Sequence, residues 1–209
     1  MLPPASSRQL QSAASQSTPN TAKISIFKAT PLMQTSKTTW PTESVLTSAK
    51  RQFDYADSYE GIYTDKDNNI TSAKIGKTFF SSAPAWVEKA FSLRNNAVRF
   101  FGLKASENTS NRAGLLRNFR CEPGEKLGLF TVFNRTENEV ILGEDDVHLN
   151  FRVSLLKRSA DDQNQKKLII TTAVQFNNLL GRLYFLPVKP AHKIIVPAML
   201  KAIIRELEL

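Results

Sequence analysis

The sequence predicts an α+β domain: a first strand, a helical block, an antiparallel meander and a long closing helix. Three patterns carry that expectation. Apolar residues recur at three- and four-residue spacing between Ser82 and Gly102, alternate with period two from Leu129 to Phe176, and return to helical spacing over Val196 to Leu207. With 209 residues and 41% apolar content, the chain has enough material for one core and a tail.

Residues 1–39 are expected to be a disordered tail, because "MLPPASSRQLQSAASQSTPNTAK" is rich in Ser, Gln, Ala and Pro and shows no apolar period. Met33 stands just ahead of the first patterned sequence, which suggests that residues 1–32 are an upstream extension. Residues 40–209 then form the single domain. "RQFDYADSYEGIY" reads as a strand carrying Phe53, Tyr55, Tyr59 and Ile62, and "TDKDNN" ends it in a turn.

In "SSAPAWVEKAFSLRNNAVRFFG", Ser82 and Pro84 form a helix start and Gly102 a stop, with Trp86, Ala90, Leu93, Ala97 and Phe101 on the inner stripe. Trp86 and Phe100 read as core, and Glu88, Lys89, Arg94 and Arg99 as the solvated face. Four strands follow, over 129–133, 140–142, 147–155 and 168–176, linked by "NRTEN", "GEDD" and "SADDQNQ". Links this short make an antiparallel meander. His148, Asn150, Arg152 and Ser154 share one side of the third strand, so that side is expected to be wet. Val196, Leu200, Ile203 and Leu207 give the last helix its buried stripe.

The formal charge of +9 invites a nucleic-acid reading, but its location argues against one. Residues 1–52 hold six cations and one acid, so the folded part is only mildly basic and no nucleic acid is expected as partner. Cys121 is the only cysteine, which rules out an internal disulfide and fits a reducing compartment. No secretory signal is legible, and "LLGRLYFLPV" and "KIIVPAMLKAII" are interrupted well short of the roughly 20 residues of a membrane span. A soluble, cytoplasmic protein is the expectation.

Three stretches carry a family resemblance: "APAWVEKAFSLRNNAVRFFGLK" (83–104), "ILGEDDVHLNFRVSL" (141–155) and "TTAVQFNNLLGRLYFLPVKPAHKIIVPAML" (171–200). From Trp40 to about Arg205 the chain resembles an uncharacterised bacterial domain-of-unknown-function family with a START-like helix-grip architecture, within the polyketide cyclase and lipid-transfer superfamily. The resemblance implies a curved antiparallel β-sheet wrapped around a long C-terminal α-helix, with a cavity between them for a small apolar or amphipathic molecule. It also implies a reductase partner, since related domains occur fused behind a nucleotide-binding short-chain reductase. The eight glycines never form GxGxxG, so no dinucleotide is expected on this chain, and no other cofactor or metal has a supporting pattern.

The helix-grip reading bears on "FLPVKPAHKIIVPAML", which sets three prolines in an apolar helical stretch. Pro190 suits an early helical position, and Pro197 leaves the Lys193 carbonyl without its donor and bends the axis. The bend either improves packing or opens a pocket. In the second case Phe151, Val153, Ile170 and Val174 line the pocket, Pro197 shapes it, and Arg182, Tyr184 and His192 meet the polar end of a ligand.

"GEDDVH" clusters Glu144, Asp145, Asp146 and His148, either as a structural hairpin or as a polar functional spot. Non-enzymatic ligand binding leads. One alternative is a cyclase- or hydratase-type enzyme using His192, Tyr184 and the 144–148 acids; the other is an accessory protein to a nucleotide-dependent reductase.

Overall fold

The structure, a computed structural model, describes residues 35–90 and 112–209. All of them belong to one unit spanning Pro31–Leu209. Seven strands make one antiparallel sheet: β1 (Thr35–Thr38), β2 (Tyr55–Thr64), β3 (Lys126–Leu127), β4 (Phe130–Arg135), β5 (Glu139–Asp145), β6 (Leu149–Ser159) and β7 (Gln165–Phe176). Their order across the sheet is β1-β2-β7-β6-β5-β4-β3. Between β2 and β3 come α1 (Ser72–Ser81), a helical segment at 85–90 and α2 (Arg112–Asn118); α3 (Leu179–Leu207) closes the chain.

The four expected strands are present as β4 to β7, and the expected first strand as β2. Alternation made them legible because one face of each packs against helices. Val140 and Leu142 of β5, Val153 and Leu155 of β6, Leu168 and Ile170 of β7, and Tyr59 and Tyr63 of β2 form one apolar surface. Ile75, Phe79 and Phe80 of α1 and Val196, Met199, Leu200, Ile203, Ile204 and Leu207 of α3 close over it.

The other side of the sheet is dry at its centre, where Ser154, Leu156, Ile169, Thr171 and Ala173 are all buried, while His148, Asn150 and Arg152 are half-buried. A 3-10 segment, Val45–Gln52, is tied to this side through the buried Glu139 carboxylate. Glu139 accepts from the hydroxyls of Ser44 at 2.6 Å and Ser154 at 2.5 Å, and from the Val45 N–H at 2.8 Å. Polar residues that satisfy one another between two covered layers give the same period-two pattern as a solvated face.

Other expectations also change. The tail was expected to run through residue 39, yet Thr35–Thr38 already pairs with β2; its first 34 residues lie outside the described residues. Trp86 is 47% exposed, whereas Val87 is fully buried, so the inner stripe of the 85–90 helix is displaced by one residue. Leu93, Ala97, Phe100 and Phe101 lie outside the described residues. α1 was missed because Gly76 breaks its helical pattern; a Cβ there would overlap the Cys121 sulfur, so glycine is what lets α1 close onto that loop.

The last helix begins at Leu179, eleven residues before Pro190, so neither Pro190 nor its neighbour Pro187 is at an early position. Pro187, Pro190 and Pro197 all stand inside α3 and remove the donors for the carbonyls of Leu183, Leu186 and Lys193. All three carbonyls belong to exposed residues, where water can replace the missing bond. Asn178 caps the helix by accepting from the Gly181 N–H at 3.1 Å. Gly181 is required where it stands, since any Cβ would run into the His148 carbonyl oxygen.

Candidate functional site

Strand parity places Tyr55, Asp57 and Tyr59 together on the surface that faces α3. The acid in that row is buried, and burial alone would favour its neutral form. His192 answers it from α3. At about 100° per residue, Gly181, Phe185, His192 and Val196 share the inward side of the helix. His192 Nε2 and Asp57 Oδ1 are 2.9 Å apart, and the Tyr55 hydroxyl donates to Asp57 Oδ2 at 2.7 Å.

Burial pushes the Asp57 carboxyl up, but the hydrogen bond and charge of His192, then the Tyr55 hydroxyl and the charge of Lys37, outweigh it and hold it below the usual carboxylate range. Burial, followed by the hydrogen bond to Asp57, drives the Tyr55 phenol well above its ordinary value. The Tyr55 ring packs on Phe185 with centroids 4.8 Å apart and meets the His192 ring edge at 6.3 Å. Lys189 Nζ lies 5.2 Å from the centroid of the Tyr55 ring. Directly across the ladder from Asp57 stands Thr172, 5% exposed, whose hydroxyl has no hydrogen-bond partner among the described residues.

His192 is thus the one sequence candidate that joins this cluster through a direct polar contact. Asp57 and Tyr55 were not singled out as its partners, because Asp57 and His192 are 135 residues apart. The legible signal was an acid on the apolar side of an aromatic strand. Val153 and Ile170 lie in the packed core, Phe151 packs against it with its ring 5.6 Å from Phe130, and Val174 is buried opposite Tyr55. Arg182 is exposed, 3.5 Å from Asp54; Tyr184 and Pro197 are half-buried on α3.

The "GEDDVH" residues are drawn to separate partners. Glu144 and Asp145 belong to the end of β5 rather than to the turn. Glu144 is buried and 3.0 Å from Lys126 Nζ, while Asp145 meets Arg152 at 2.8 Å. Asp146 accepts from the His148 N–H at 3.2 Å, and His148 Nδ1 lies 3.0 Å from Asn178 Nδ2. This turn docks the start of α3: the Asn178 amide also donates to the Val147 carbonyl.

Among the described residues, no group of three or more His, Cys, Asp or Glu side chains is placed to hold a metal ion. A concavity away from this cluster, an open polar groove of about 740 Å³, lies between the start of α1 and the β4–β5 turn. Lys157 crosses it to donate to the Ile70 carbonyl at 3.0 Å.

These features define the class of the molecule: an α+β protein whose seven-stranded antiparallel sheet carries a long C-terminal helix on one face. Residues 49–199 match the model of a family described as protein of unknown function (DUF2867). The chain belongs to that family, as its resemblance to a domain-of-unknown-function family had led us to expect. No curated protein and no solved structure matches the chain at a significant level.

Proposed function

We propose that this protein binds a small amphipathic molecule between the first half of α3 and strands β2 and β7. The observation that carries this reading is the Thr172 hydroxyl, buried without a partner beside the Asp57–His192 pair. A buried hydroxyl left unpaired costs about 1–3 kcal/mol, a cost that a ligand's polar head would remove. The apolar body of the ligand would displace Phe185, which rests on Tyr55 and Phe176, and reach toward Val174 and Phe151. Pro187 and Pro190 make that stretch of α3 cheaper to shift than an unbroken helix. The order of elements also supports the START-like helix-grip reading, in which a sheet and closing helix hold such ligands, and a cytoplasmic location fits it.

One observation favours an acid–base enzyme as the second reading. Asp57 orients the His192 ring through Nε2, so Nδ1 is the nitrogen that would exchange a proton with a bound substrate. In that case the machinery is Asp57 and His192 rather than the 144–148 acids. No described contact speaks for the reductase-accessory role.

Native mass spectrometry of the purified protein tests for a resident ligand. Titration with decan-1-ol and dodecanoic acid, followed at the two imidazoles by NMR, tests the place. Binding should move the His192 resonances and spare His148. Thr172→Val should stabilise the unliganded fold by about 1 kcal/mol and weaken decan-1-ol binding several-fold. An empty chain whose His192 responds to neither probe, or a Thr172→Val variant that binds as before, defeats the proposal.

A further inference from the structure

The outward side of α3 over its first half is apolar where a surface helix would be polar. Leu179, Leu183, Leu186, Pro190 and Ile194 fall within about 80° of one another around the helix. Leu179 is 69% exposed, Leu183 52%, and Leu186 and Ile194 66% each. The stripe runs for about 24 Å and is extended by the exposed Val147, whose turn is clipped to the helix cap. Isolated exposed leucines are ordinary; a stripe aligned over four turns marks a surface that something covers.

Charge indicates what covers it. Lys189 and Lys193 line one flank of the stripe together with Arg182, which is 3.5 Å from Asp54, and α3 itself contains no acid before Glu206. An anionic partner would complement that flank. A second copy would complement it poorly, because its α3 brings the same cations and no acid over this stretch, and antiparallel pairing sets the two cationic flanks side by side. The prolines set the depth: the carbonyls they free remain hydrated among headgroups but would be orphaned in hydrocarbon. We infer that the outward face of α3, from Leu179 to Ile194, docks the protein flat on an anionic phospholipid surface, with the leucines in the interface and Lys189 and Lys193 at the headgroups. This site lies on the opposite side of α3 from Asp57 and His192 and stands whether or not a ligand binds there.

Flotation of the full chain with vesicles supplies the test. The protein should float with phosphatidylcholine vesicles containing phosphatidylglycerol and much less with pure phosphatidylcholine, and raised salt should release it. Leu183→Ser/Leu186→Ser should weaken binding by about tenfold or more while leaving the circular dichroism unchanged. Lys189→Glu/Lys193→Glu should abolish the preference for anionic vesicles. Equal flotation of wild type and the leucine variant overturns the inference. So does a dimer, seen by analytical ultracentrifugation, that the leucine variant dissolves, for that would give the face to a second copy.

Discussion

From Val196 to Leu207, α3 buries Val196, Met199, Leu200, Ile203, Ile204 and Leu207 and leaves Lys201, Arg205 and Glu206 in water. From Leu179 to Ile195 it buries only Gly181 and Phe185, and five large apolar side chains stand exposed. Two of its three prolines fall in this first half. One continuous helix therefore has an end that anchors the fold and an end that rests on it. The inward surface of the anchoring end meets aliphatic side chains; that of the resting end meets Tyr55, Asp57 and Thr172. Stability belongs to the first end, and the candidate chemistry belongs to the second.

The sharpest way to break that comparison is to cut one residue from the anchor. Leu200 is fully buried in the core, so Leu200→Ala should cost about 2–5 kcal/mol in a urea unfolding titration. A loss below 1 kcal/mol would mean that the C-terminal half does not hold the sheet.

The Asp57–His192 pair comes next. Asp57→Asn should cost about 1–3 kcal/mol at neutral pH, since the half-buried His192 imidazole loses its buried, charged partner. The sign of the pH dependence follows from the lowered Asp57 value. Its contribution is fully present above the unfolded carboxyl value of about 4 and is lost as pH falls through the folded one. The melting temperatures of wild type and Asp57→Asn should therefore differ at pH 6 and converge as the medium is acidified below about pH 4. A constant gap across that range would show that the pair is not what stabilises this corner.

How much of this was legible in the sequence depends on where each signal is stored. Strands β4 to β7 and the buried stripe of α3 are local periodicities, and residues such as Val153, Leu155 and Ile203 announce them within a few positions. Burial at the centre of the far side of the sheet was not legible. Ser58 and Thr171 hydrogen-bond each other at 2.9 Å, and Ser44 and Ser154 serve Glu139, so polar side chains look solvated until their partners are placed. The start of α3 was hidden for a different reason. Pro187 and Pro190 suggest a boundary, and only exposure of the carbonyls they free makes them tolerable inside a helix. Of the candidate site, His192 could be named but not paired, because nothing near it in sequence points to β2.

The smallest effect is also the one that separates the two halves most cleanly. Leu183 and Leu200 are the same residue on the same helix, but Leu183 is half exposed on the outward face. Leu183→Ser removes no core contact and opens no cavity; what it changes is the apolar surface shown to water. Its cost in a urea titration should be within about 0.5 kcal/mol, against several for Leu200→Ala. Propensity alone predicts a slight loss, because serine is a poorer helix former than leucine by a few tenths of a kcal/mol. If Leu183→Ser destabilised the protein by more than about 1 kcal/mol, the outward face would have to be packed within the chain. Leu183 would then belong to the core of this molecule rather than to its surface.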